Sequence, residues 1–199
     1  MKFTKILFIL AFFTSCNLKK TPEDIVNLEI EALNKKELES NTQDIITTIE
    51  FGVKAEPEDA KDFEDGIIPW INIDNPENQI NRLIDADKVV ITYSEVTLVI
   101  DYPLNKPAEF ILKNSGKGFT KKQLVLEISK KYHEIYEAEE SSAKTKTIPA
   151  EKREGLINRN ETNGKYGICC HDIGDLDLSS AQVYKTEDGK IQIVLEIES

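Results

Sequence analysis

Basic side chains are in short supply: 25 Lys and Arg stand against 36 Asp and Glu, a formal charge of −11. That balance excludes nucleic acid as the expected partner, because phosphates would be repelled. It suits solubility and, where a partner exists, a basic protein or a cation. Histidine occurs only as His133 and His171, too few for a metal centre built mainly on imidazoles. Cysteine occurs at 16, 169 and 170; the last two are neighbours, so they offer no long-range disulfide. No glycine-rich loop follows a strand pattern, which leaves nucleotide binding without support. No internal repeat or low-complexity tract occurs. The apolar run at residues 6–13 falls far short of the ~20 residues of a permanent membrane span.

What is present describes an ordinary folded domain: 40% apolar and 31% charged residues, not a disordered composition. Ahead of it, Lys2 and Lys5 precede the apolar run, which ends in Phe13, Thr14, Ser15 and Cys16. This resembles the lipobox of bacterial lipoproteins, with Phe13 at the usual leucine position and Ser15 at the usual Gly or Ala. The resemblance covers residues 1–16. It implies a signal peptide at 1–15, palmitate-type acylation of Cys16, a tether at 16–21 and a domain held close to the membrane on its periplasmic or outer side. An ordinary secretory signal cleaved nearby is the alternative. Loss of Lys2 and Lys5 leaves 23 basic against 36 acidic side chains, or −13.

The clearest element of the remaining chain is a helix over about 120–140. Thr120 and Gln123 have the spacing of a capping box, and Phe119 and Leu124 that of a hydrophobic staple. Leu124, Val125, Ile128, Tyr132, Ile135 and Tyr136 form an apolar stripe at helical spacing. Lys121, Lys122, Glu127, Lys130, Lys131, Glu134 and Glu137 take the other side, and Glu127–Lys131 is a favourable pair four residues apart.

Thr21, Pro22, Glu23 and Asp24 predict a helix start, continuing to about Lys36. Residues 44–53 are β-branched and predict a strand, with a continued helical segment as the alternative. The acid-rich stretch 54–66 predicts a solvated loop or short helix; a calcium site is the sharper alternative, against the missing alternation and glycine of a calcium loop. Residues 66–74 predict a short strand with a bend at Pro69, and Trp70 a packing role. Asn75 and Pro76 predict a short helix to Asp85, with Ile80, Leu83 and Ile84 inward. Residues 88–102 form the main β region, with a break near Ser94 and Glu95, and residues 108–113 return as its partner. Asp188-Gly189 predicts a two-residue hairpin turn with Glu187 opposite Lys190. Ile191, Ile193, Leu195 and Ile197 share one face of the last strand.

Residues 141–180 show little periodicity, and turns are marked at Asn158, Asn160, Asn163, Gly164 and Gly167. A mobile, exposed start at 141–147 and an ordered, at least partly buried part docked at 166–172 are expected. The docked part leads into the one dense chemical cluster, residues 169–177. Cys169, Cys170, His171 and Asp177 are candidate metal ligands, against the C-x₂-C spacing that zinc sites favour. His171, Asp172 and Asp175 are candidate catalytic groups. Asp175 and Asp177 begin a calcium-loop pattern that fails at Ser180 and Thr186. The competing reading is a structural loop packed on the sheet. No cofactor is expected.

These patterns predict a single α+β domain over 22–199: a mostly antiparallel sheet with the long amphipathic helix packed across it. The functional expectation is a non-catalytic envelope binding module, anchored through Cys16, that neutralises or docks a basic protein. The alternative is a metal-assisted envelope hydrolase using His171 and nearby acids.

Overall fold

Residues 44–116, 118–155 and 158–199 are described by the structure, which is a computed structural model. The signal segment, Cys16, the tether and the helix expected over 21–36 lie outside the described residues.

The central sheet is built from β1 (Asp44–Glu50), β4 (Ile71–Asn72), β6 (Glu95–Ile100), β7 (Ala108–Lys113), β9 (Asp177–Lys185) and β10 (Ile191–Glu198). Its order is β1-β9-β10-β6-β7, with β4 also on β9. Every pairing is antiparallel except that of β10 with β6. β1 and β4 share one edge of β9: β1 pairs from Lys185 to Ser180, and β4 continues at Leu178 and Asp177. Two small ribbons complete the β structure, β2 (Val53–Lys54) with β3 (Ile67–Ile68), and β5 (Val89–Ile91) with β8 (Phe119–Thr120).

The helix, α1 (Lys121–Ser142), begins where the cap pattern puts it. Thr120 Oγ1 accepts from the Gln123 N–H at 3.2 Å, and Gln123 Oε1 accepts from the Thr120 N–H at 2.9 Å. Leu124, Val125, Ile128, Tyr132 and Ile135 are buried in one core with Val96, Leu98, Ile100, Val183 and Ile193 of the sheet. The fold of the described residues is therefore α+β, a mostly antiparallel sheet with α1 on its inner face. Ile128 has no exposed surface, so Ile128→Val should cost about 0.5–1.5 kcal/mol. Lys130→Ala on the exposed side should change stability by less than about 0.5 kcal/mol in the same denaturant melts.

Several local expectations are corrected. Lys131 does not pair with Glu127; it turns to Glu134 at 2.7 Å and lies 5.1 Å over the Phe110 ring. Lys121 is buried, not exposed. The segment after Asn75 forms two 3₁₀ turns, Pro76–Asn78 and Ile80–Arg82, and stops there because Leu83 is extended (ψ 126°). The hairpin turn has three residues, not two. Thr186 N–H donates to Lys190 O, Gly189 N–H donates to Thr186 O, and Gly189 takes φ 82° as the bulge glycine. Lys190 consequently meets Asp188 at 2.6 Å instead of facing Glu187.

Candidate functional site

The 159–177 segment is fixed to the C-terminal end of α1 by a buried carboxylate. Glu139 has no exposed surface. Its Oε1 accepts from the Gly164 N–H at 2.6 Å, and its Oε2 from the N–H groups of Tyr166 and Gly167 at 2.8 and 3.0 Å. Burial alone raises a carboxyl's pKa, but the Thr162 hydroxyl and these three N–H groups outweigh it and hold Glu139 at about 2. Three residues earlier on α1, Tyr136 donates its hydroxyl to His171 O at 2.9 Å. Asn163 Oδ1 accepts from the N–H groups of Lys144 and Thr145, and Asn160 bonds Ile148 N–H and Lys146 O. The 144–148 stretch, although largely exposed, is thus tied to the 160–163 turn.

The candidate residues separate on this scaffold. Cys169 and Cys170 are joined to each other in a disulfide between chain neighbours. In this state neither sulfur is a thiolate, so neither acts as a metal ligand or nucleophile. The pair and His171 line an open cleft of about 320 Å³ with Asp101, Tyr102, Pro103, Leu104 and Asn105. The His171 and Tyr102 rings stand 5.6 Å apart. Asp172 is held by Arg153, with contacts of 2.6 and 2.9 Å, and has Arg159 at 3.8 Å. Arg159 is buried against the Tyr136 ring at 5.2 Å, and its Nε and Nη2 find no partner among the described residues.

Asp175 ends a 3₁₀ turn, where its carboxylate accepts from the Asp172 N–H at 2.9 Å. Asp177 opens β9 and accepts from Asn72 Nδ2 at 3.1 Å; burial pushes its carboxyl up. The calcium-like pattern is therefore a turn running into a strand. His133 lies elsewhere, with Nε2 2.9 Å from Asp74 O. Among the described residues no three His, Cys, Asp or Glu side chains are placed to share a metal ion. Sequence reasoning missed Glu139, Arg153, Arg159 and Tyr102. Only the pairing of an acid with small turn residues far along the chain could have pointed to Glu139.

The second candidate is the outer face of the sheet, which α1 leaves uncovered. The inward alternation of Val96, Leu98 and Ile100 sends Glu95, Thr97 and Val99 outward. Val194 lies beside Val99, and Ile111 beside Thr97. Ile111 is 62% exposed. Glu109 adjoins Val99, and Glu95 binds Lys113 at 2.8 Å; Glu196, on the same face of β10, accepts from Ser180 Oγ and Gln182 Nε2, and Glu50 stands at the far β1 edge. A shallow groove of about 470 Å³ runs between Glu95, Thr97, Glu109, Ile111 and Lys190. Compared with protein-family models, with characterised proteins and with solved structures, the chain matches none.

Proposed function

We propose that the protein is a non-catalytic binding module, held at a bacterial membrane by acylated Cys16, whose outer sheet face docks a basic protein. The observation that carries this reading is the face itself, which the described residues leave uncovered: a small Val and Ile patch flanked by Glu109 and Glu95. Apolar contact supplies affinity there, and the acids select for positive charge and speed encounter. The charge supports it as well, since residues 43–199 carry 30 Asp and Glu against 19 Lys and Arg. The hydrolase alternative draws no comparable support: Asp172 is committed to arginines and both nearby sulfurs are bonded to each other.

The test compares the chain with an Ile111→Arg, Glu109→Lys variant, each immobilised and exposed to envelope extract of the producing cell. Wild type should retain a basic protein that the variant loses. Retention should also weaken between 0.1 M and 1 M salt, as the screening length falls from about 10 Å to about 3 Å. Retention indifferent to both salt and the variant would remove this face from the proposal. The anchor is tested separately. Acyl chains contribute roughly 0.8 kcal/mol per buried CH₂, so Cys16→Ser should move the protein from the membrane pellet to the soluble fraction. Pelleting at high salt in the variant would contradict acylation as the anchor.

A further inference from the structure

The Cys169–Cys170 disulfide has no stapling role to explain it. A disulfide stabilises a fold mainly by closing a loop in the unfolded chain, and the effect grows with loop length. Here the bonded residues are chain neighbours, so the bond closes no loop. The segment is instead held by hydrogen bonds that do not involve sulfur. Cys169 N–H donates to Pro103 O at 3.1 Å, Thr162 N–H to Ile168 O at 2.9 Å, and Tyr136 Oη to His171 O at 2.9 Å. Glu139 grips Gly164, Tyr166 and Gly167 just upstream. The S–S bond can therefore open without releasing the backbone that carries it. Both cysteines are partly exposed, and both line the cleft beside Tyr102 and His171. A bond that is dispensable to the fold, pinned in place and open to solvent is placed for chemistry.

We infer that Cys169–Cys170 is a thiol–disulfide exchange site that accepts two electrons from a dithiol entering the cleft at residues 101–105. One thiolate of the incoming dithiol attacks one of the two sulfurs, forming a mixed disulfide and releasing the other cysteine as a thiolate. The second thiol of the dithiol, once deprotonated, attacks its own sulfur in that mixed disulfide. Its S–S bond forms as the bond to the protein breaks. The two protons of the dithiol end on Cys169 and Cys170. The dithiol is oxidised by two electrons, the protein is reduced by two, and no further oxidant is needed. This inference does not rest on the docking of a basic partner.

The test uses dithiothreitol as the dithiol, the full chain without denaturant, and iodoacetamide to trap thiols for peptide mass spectrometry. Cys169 and Cys170 should both become alkylated, and the reduced protein should keep its cooperative melt. The reduction rate should differ by less than about tenfold between native and denatured protein. If opening required unfolding, the native rate would fall by the folding equilibrium constant, about 10³ or more. That result, or loss of the cooperative melt on reduction, would overturn the proposal. Phenylarsine oxide gives a second readout. It should form a one-to-one adduct with the reduced native protein and none with Cys169→Ser; an absent adduct in the wild type would show that the pair is closed to ligands.

Discussion

Replacing Glu139 by alanine should cost about 3–5 kcal/mol, the largest loss expected from any single charged side chain described here. Three backbone N–H groups lose their acceptor at once, and Gly164 and Gly167 are themselves buried. Each buried donor left without a partner costs about 1–3 kcal/mol, with partial relief where the turn shifts toward water. Glu139→Gln is the sharper variant, because size is kept. Its amide offers one oxygen where the carboxylate offers two, so an NH₂ must face either Gly164 N–H or the pair at Tyr166 and Gly167. Denaturant melts should place it below wild type by about 2–3 kcal/mol. A loss no larger than that of an exposed glutamate such as Glu134 would mean that the turn rehydrates freely.

The same carboxylate sets a pH dependence whose sign is fixed by its direction of shift. Glu139 is held at about 2 in the folded protein, against an ordinary value of 4.5. Its contribution is fully present above 4.5 and is lost as pH falls through that value toward 2. Asp177 works the other way: its raised carboxyl weakens the fold when ionised, and protonation relieves that cost. Wild type should therefore lose stability steeply below about pH 4.5, and Glu139→Gln should show a shallower decline. Parallel acid titrations by circular dichroism of the two proteins would contradict the assignment.

The parts of this fold that were legible in the sequence are those whose partners lie a few residues away. The Thr120–Gln123 cap spans three residues, and the stripe of α1 follows one helix's own period. The alternation in β6 and β10 is equally local. β9 was not legible over its full length, although it is central in the sheet. Its sequence, DLSSAQVYK, is poor in the large β-branched residues that mark a strand. Small residues at Ser180 and Ala181 fit there because strands flank β9 on both sides. The site residues were illegible for the same reason of distance. Glu139 meets its acceptor-seeking turn 25 to 28 residues downstream, and nothing near it distinguishes it from Glu137 or Glu140. The cluster at 169–172 was visible as chemistry, but its division was not. The two sulfurs bond to each other and Asp172 turns to Arg153, so only His171 is left with the cysteines at the cleft.

Gly118→Ala should destabilise by roughly 2–6 kcal/mol, from two costs that a control can separate. The first is conformational: Gly118 has φ +105°, where an L side chain is strained by about 1–3 kcal/mol. The second is steric. A Cβ at this position would lie 1.9 Å from Ile91 O and 2.8 Å from Ile91 C and Thr92 Cα. Those are backbone atoms of the β5 end, and β5 pairs with β8 immediately after Gly118. No rotamer change relieves the overlap; one strand must move, at a further ~1–3 kcal/mol. The displacement would reach α1, because Phe119 and the capping Thr120 are the next two residues and Asn114 Nδ2 bonds Gly118 O at 2.6 Å. Gly189→Ala supplies the control: it has φ +82° and nothing within 4 Å of its added Cβ, so it carries the first cost alone. Melts of the two variants should differ by at least about 1 kcal/mol, with Gly118→Ala the weaker. Equal losses would show that the 91–92 backbone yields without penalty and that the close approach of β5 to the start of α1 is not a fixed feature of the fold.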